Sequence, residues 1–279
     1  MAFMSLIRIA AICYLVCAGI VVPGRAYAES LMLIPGYLGA GSNWRTSGIT
    51  EVLQQGGWQD GGHLKISGAR VRVHRGSSRD ESHRFYTLDL PTEAPLLVQS
   101  AQLDKYVAFV RRSHPGNALV FAGHSAGGVL ARLYMVQHQD SPVVAMISIA
   151  SPHRGTESAE LGMMAGQSPL GWLSSMLGFA TLNRSQGLYH DLMRENPGNL
   201  LGWLNHQPHP PALYVSIVRR RDDETFGLGN LLVPAWSQDL NQVSALRGRA
   251  RTITVEGGHG LRREDARIIL NVLAALQRA

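Results

Sequence analysis

The chain has 279 residues, 45% of them apolar and 16% charged, with a formal net charge of +6. That length is enough for a deep core, and the composition with its periodic segments excludes both a disulfide-built mini-protein and an intrinsically disordered chain. Only Lys65 and Lys105 are lysines, so the basic excess is arginine, and the runs Arg219 to Arg221 and Arg247/Arg249/Arg251 read as solvated faces.

Residues 1–28 combine Arg8, an apolar stretch from Ile9 to Val22, the break Pro23-Gly24 and the small-x-small ending Ala26-Tyr27-Ala28. This is the pattern of a secretory signal peptide, with cleavage expected near Glu29. A membrane anchor would need about 20 apolar residues without the Pro-Gly break. Both cysteines, Cys13 and Cys17, lie in this segment and neither follows a lipid-attachment box. The expected exported protein, periplasmic or secreted, is therefore one cysteine-free domain over 29–279, and losing Arg8 and Arg25 lowers its charge to +4.

The first strand is expected at Leu31 to Ile34, running into the glycine loop Pro35-Gly36-Tyr37-Leu38-Gly39. Gly68 to His74 and Arg84 to Leu90 read as strands, and Leu97 to Arg112 as an amphipathic helix. Ala118 to Ala122 is a fully apolar strand, followed by Val129, Leu130, Leu133, Tyr134 and Met135 at helical spacing. Pro142 introduces a strand over Val143 to Ala150. Two more strands are expected at Leu213 to Val218 and Thr252 to Val255, with a closing helix from Glu264 to Gln277. Strands alternating with helices imply an α/β fold with a mostly parallel central sheet and helices on both faces. The alternation stops between Gly155 and Pro211, where Met163, Met164, Trp172, Met176 and Phe179 precede Leu200, Leu201 and Trp203. This insertion, at about 156–211, is expected to be a helical cap with an apolar inner face over a substrate pocket.

Gly123-His124-Ser125-Ala126-Gly127-Gly128 contains G-x-S-x-G between an apolar strand and an amphipathic helix. The pattern alone is weak. Its context is what a nucleophile elbow requires, because Ser125 must project from a strained turn where strand and helix approach closely, and Gly123 and Gly127 remove the side chains that would collide. A serine hydroxyl needs a base, usually histidine oriented by a carboxylate. Of eleven histidines, His259 alone follows a late strand, in Gly257-Gly258-His259-Gly260 before the last helix. His63, His74, His83, His114, His138, His190, His206 and His209 read as surface residues, and no ligand cluster accompanies His206 and His209 to make a metal site. Two N–H donors for a developing oxyanion are expected from Ala126 and from Tyr37 in the first glycine loop.

Three segments together resemble the bacterial lipase and esterase branch of the α/β-hydrolases, including relatives of the eukaryotic GPI inositol-deacylases. They are Ile34-Pro35-Gly36-Tyr37-Leu38-Gly39, the elbow with Val129-Leu130-Ala131-Arg132, and Ile149-Ala150-Ser151-Pro152-His153-Arg154-Gly155-Thr156. The resemblance implies an α/β-hydrolase fold, a structural rather than catalytic His153, and a lid region opening after Gly155. Position 35 is Pro, where many of these lipases carry His. The family often places its acid just before a Val-Pro stretch, and the match here, Asn230-Leu231-Leu232-Val233-Pro234, offers an amide. An amide orients a histidine but does not stabilise imidazolium by charge, so Asp222 is the expected acid, with Asp223, Asn230 and Asp239 as alternatives. The order Ser125, Asp222, His259 is the order of this fold.

The function this implies is an exported serine hydrolase that cleaves acyl esters through an acyl-enzyme, without cofactor or metal. Lipid-like substrates and peripheral contact with lipid surfaces are expected, and no motif for nucleic acid is present. The alternatives are a thioesterase, amidase or acyltransferase with the same triad, and a catalytically weak envelope-binding protein of the same fold.

Overall fold

The computed structural model describes residues 29–76, 83–157, 184–220 and 233–278. The signal-peptide segment, residues 158–183 of the expected cap, and Asp222, Asp223 and Asn230 lie outside the described residues.

The described strands are β1 (Glu29–Ile34), β2 (Gln59–Ser67), β3 (Arg70–His74), β4 (His83–Leu88), β5 (Ala118–His124), β6 (Val143–Ile149), β7 (Leu213–Arg220) and β8 (Ala250–Glu256). They form one sheet in the order β3-β2-β4-β1-β5-β6-β7-β8. Every neighbouring pair is parallel except the β2–β3 hairpin. β1 and β5 sit at the centre, and their unbroken apolar runs follow from burial on both faces.

Alternate β1 side chains feed two cores. Met32 and Ile34 pack with Leu103 and Tyr106 of α3 (Leu96–Ser113) and Val129 and Leu133 of α4 (Ala126–Gln137). Leu31 and Leu33 face the other way, toward Trp44 of α1 (Gly41–Thr46), Ile49 and Leu53 of α2 (Ile49–Gln55), and residues near the chain end. Each such side chain contributes about 1.5–3 kcal/mol of hydrophobic stabilisation on burial.

Within the 156–211 insertion, α5 (Gln186–Leu192) and α6 (Leu200–Leu204) are described. Their Leu188, Leu192, Leu201 and Leu204 join the core beneath α3 and α4. This part of the insertion is thus anchored in the main body. Beyond β7, a short helix α7 (Ala235–Gln238) precedes β8, and α8 (Arg263–Leu276) closes the fold on the face of α1 and α2 through Ile269 and Leu273.

The expected strands and helices are present, with ends shifted by one or two residues in most cases. The segment expected as a strand from Gly68 is a turn at Gly68, where φ is +60°, followed by β3. The sequence reading did not anticipate α1, α2 or β2. β3 forms one edge of the sheet, where Arg70, Arg72 and His74 are exposed and Arg72 stands opposite Lys65.

Parallel strands deliver the loops after β1, β5, β6, β7 and β8 to one edge of the sheet. The elbow helix approaches closest at Gly128, where an added Cβ would collide with the Ser151 side chain and lie 3.0 Å from Ser148 Cβ. Gly128→Ala is therefore expected to cost about 1–3 kcal/mol through overpacking. Thermal unfolding checks this, and an unchanged midpoint would remove the steric account of Gly128.

Candidate active site

Ser125 joins β5 to α4 with φ 52° and ψ −128°, a region that side-chain-bearing residues rarely occupy. Its N–H donates to the Ile149 carbonyl at 2.8 Å, which ties the turn to the end of β6. The surrounding backbone leaves no room for methyl groups. A Cβ on Gly123 would lie 2.5 Å from the Gly127 oxygen, one on Gly127 2.5 Å from the Pro35 oxygen, and one on Gly36 2.8 Å from Ser125 Cβ.

His259 reaches this turn from the loop between β8 and α8, and its Nε2 lies 2.9 Å from Ser125 Oγ. Several bonds hold the loop. The Gly257 N–H donates to the Arg220 carbonyl at 2.9 Å, and His124 donates its Nε2–H to the His259 carbonyl at 2.9 Å. Arg219 Nη2 approaches the Gly260 carbonyl at 3.5 Å and lies 2.6 Å from both carboxylate oxygens of Asp265. Asp265 also accepts the Arg262 N–H at 2.8 Å and so caps α8. Arg219, expected on a solvated basic face, is therefore buried in an ion pair at the end of β7, because its neighbour in space is a capping carboxylate.

The His259 pKa is lowered to about 4, first by burial, then by the neighbouring His124 and Arg219. His124 is shifted down as well, again chiefly by burial. Both rings are thus neutral near pH 7, and His259 is ready to accept a proton.

The two expected donors flank the same turn. Ala126 opens α4, so its N–H has no partner within the helix. Neither this N–H nor that of Tyr37 bonds a backbone carbonyl among the described residues. The Tyr37 loop is closed by a bond of 2.9 Å from the Gly39 N–H to the Gly36 carbonyl. Its phenol turns away toward α5, with the Tyr37 and Tyr189 hydroxyls 2.6 Å apart. Glycine at 36, rather than the residue at 35, is what lets the loop approach Ser125.

No carboxylate among the described residues bonds His259. Asp239, one alternative for the acid, is engaged elsewhere, accepting from Asn241 N at 2.9 Å and Thr252 Oγ1 at 2.7 Å. His153 is fully buried, with Nε2 2.9 Å from Ser148 Oγ and its N–H donated to the Ser237 carbonyl at 2.9 Å, which fits the structural role expected of it. Arg132 is also buried beside it, donating to the His153 carbonyl at 3.3 Å and to Asn205 Oδ1 at 2.6 Å. His209, expected at the surface, is buried instead, and burial followed by Arg132 lowers its pKa to about 3. The sequence reading missed His124 and Arg219 as supports of the histidine loop. His124 adjoins Ser125 in the motif, but nothing in the sequence links Arg219 to Asp265.

This arrangement places a serine hydroxyl beside a neutral imidazole, with the N–H groups of Ala126 and Tyr37 in the adjoining turn and loop unpaired by backbone carbonyls among the described residues. The profile of the alpha/beta hydrolase fold matches residues 29–202. The chain belongs to the α/β-hydrolase family. No curated protein matches it significantly. Among solved structures, the mature lipase BlEst2 of Bacillus licheniformis is 14% identical, with a TM-score of 0.55 over 91% of this chain and 94% of that one. The lin2722 gene product of Listeria innocua is 14% identical, with a TM-score of 0.55 over 85% and 86% of the two chains. A highly thermostable carboxyl esterase of Bacillus coagulans is 10% identical, with a TM-score of 0.54 over 92% and 90%. At these identities the likeness is one of fold.

Two expectations follow from the site. For a reaction that uses His259 as a base with no carboxylate at its Nδ1, kcat/KM is expected to hold from pH 7 down to about 5 and to fall as pH drops through about 4, where the ring takes up a proton. A carboxylate at Nδ1 would raise that pKa, so an acid limb near pH 6 to 7 in the kcat/KM profile would reveal one. Asp265→Asn should destabilise the fold by about 3–5 kcal/mol, because it leaves the Arg219 charge buried and unpaired. Chemical denaturation measures this, and a loss under about 1 kcal/mol would show the pair to be dispensable.

Proposed function

We propose that this protein is an exported serine hydrolase that cleaves carboxylic esters through an acyl-enzyme. The observation that carries the reading is the 2.9 Å approach of His259 Nε2 to Ser125 Oγ, near the N–H groups of Ala126 and Tyr37, which no backbone carbonyl among the described residues engages. In the proposed sequence, His259 takes the Ser125 proton as Oγ attacks the ester carbonyl carbon. The two N–H groups receive the negative charge that develops on the carbonyl oxygen. The intermediate then collapses, and His259 returns the proton to the departing alcohol. Water, activated by the same imidazole, releases the acid. The lipase and carboxyl esterase among the structures of like fold support an ester substrate over other acyl compounds.

Asp222 is the acid in this reading. Arg220, two positions before it, already gives its carbonyl to Gly257 of the histidine loop, so the chain enters the segment beyond β7 beside that loop. Export rests on the pattern of residues 1–28. Cleavage after Ala28 would leave every described element intact, since β1 opens at Glu29.

Ser125→Ala and His259→Ala are each expected to lower kcat by orders of magnitude without loss of folding, with the double variant no worse than either single one. A fluorophosphonate probe should label the parent protein and not Ser125→Ala. Labelling at another residue, or ester turnover that survives Ser125→Ala, would refute the mechanism. Asp222→Asn should lower kcat strongly, with Asp223→Asn milder and Asn230→Asp neutral or harmful. If Asp222→Asn is silent and Asn230→Asp raises activity, the acid position is 230.

A further inference from the structure

On the edge of the sheet away from Ser125, a cavity of about 700 Å³ opens between the C-terminal end of α3 and the starts of β5 and β6. We propose that this cavity binds an amphiphilic carboxylate, a free fatty acid of medium chain length. Its carboxylate would lie on Arg111 and Arg112 and its chain along the strand starts. The inference goes beyond the ester-hydrolase reading and does not depend on it.

The path of β6 supplies the apolar wall. Leu119 of β5 pairs with Val143 and Val120 with Ala145, so Val144 is the extra residue of a β-bulge. Val143 and Ala145 are buried, one in each core, whereas Val144 is 38% exposed and borders the cavity. A β-branched apolar side chain thus stands at the cavity rather than in a core. Ala108, Pro115 and Pro142 extend this surface, and the prolines bring no N–H that needs a partner. The volume lies within the range of about 300–1,000 Å³ common to small-molecule sites.

Charge defines the other end of the ligand. Arg111 and Arg112 border the same space and form no hydrogen bond or ion pair among the described residues. No carboxylate among those residues lines the cavity. Asp104, two turns earlier on α3, accepts from the Tyr134 hydroxyl at 3.2 Å. The C-terminal end of α3 carries about half a negative charge, which two guanidinium groups outweigh. A neutral lipid would leave both guanidinium groups without a counter-charge, and an inorganic anion would leave the Val144 wall bare. A fatty acid answers both, because its carboxylate accepts from the guanidinium donors while its chain covers the apolar wall.

Titration calorimetry of the whole protein with octanoate, 1-octanol, acetate and inorganic phosphate tests the assignment. Octanoate is expected to bind about tenfold more tightly than 1-octanol, the gain from a hydrogen bond to a charged group. It should also bind more tightly than acetate, which lacks six methylene groups. Replacing both arginines, Arg111→Gln with Arg112→Gln, should weaken octanoate about tenfold and leave 1-octanol unchanged. Ala108→Trp, at a half-buried helix position, should fill the cavity and weaken both ligands. Ser125→Ala should bind octanoate as the parent does, because the cavity is remote from the elbow. Thermal unfolding without ligand reports on the folding of each variant, and if Ala108→Trp fails to fold, the arginine pair at its exposed positions decides the outcome. Absence of octanoate binding, or binding that the arginine replacements leave intact, overturns the inference. So does acetate or phosphate binding as tight as that of octanoate, which would mean a simple anion site. Arginine-dependent sedimentation with phosphatidylglycerol vesicles, in a protein that does not bind octanoate, would assign the arginines to a lipid surface and overturn it as well.

Discussion

The conformation of Ser125 is the constraint on which the rest of the site depends. A residue with a side chain is held at φ 52° because the turn is tied to β6 by one backbone bond and because the surrounding glycines let three segments meet around it. Each glycine answers a different neighbour: Gly123 admits the helix backbone, Gly127 the β1 loop, Gly128 the Ser151 side chain, and Gly36 the serine itself. Strain of this kind costs on the order of 1–3 kcal/mol and persists only where the surroundings over-determine it. Here a buried parallel sheet supplies that rigidity, with β1 and β5 packed on both faces.

The histidine is positioned by different means. Its loop is fixed by backbone carbonyls at 259 and 260 and by the backbone bond from Gly257 to Arg220, all of which act on main chain rather than on the ring. Arg219 links these contacts to the start of α8, because the carboxylate that caps the helix is also its ion-pair partner. The same burial that holds the loop also keeps the imidazole neutral. Position and protonation state thus share one cause.

Much of this was legible in the sequence where local pattern and tertiary role agree. The apolar runs of β1, β5 and β6 are the signature of strands buried on both faces, and the glycine spacing around Ser125 is dictated by contacts the sequence cannot avoid. The region from 41 to 67 was not anticipated, for two reasons. α2 is one short turn pair whose Ile49, Val52 and Leu53 do fall at helical spacing, but it is too brief to stand out. β2 carries Gly61-Gly62 at a register shift, a pairing that weakens any strand pattern and that only the bulge against β4 explains. Arg219 and His209 were misplaced because charge and polarity by themselves signal solvent. Their burial depends on partners distant in sequence: Asp265 for Arg219 and the packing around Arg132 and Tyr214 for His209.

The charged outer strand has a consequence for how copies of this protein meet. A sheet that stops at β3 presents unpaired backbone groups onto which another strand can add. Here the approach is contested electrostatically, because Arg70 and Arg72 line β3 and Lys65 stands across from Arg72 on its neighbour. Two such edges brought together in antiparallel fashion would set one arginine row against another. Among the described residues, like charges on this flank of the sheet thus oppose the pairing of two such edges, most strongly in dilute salt, where the charges are least screened.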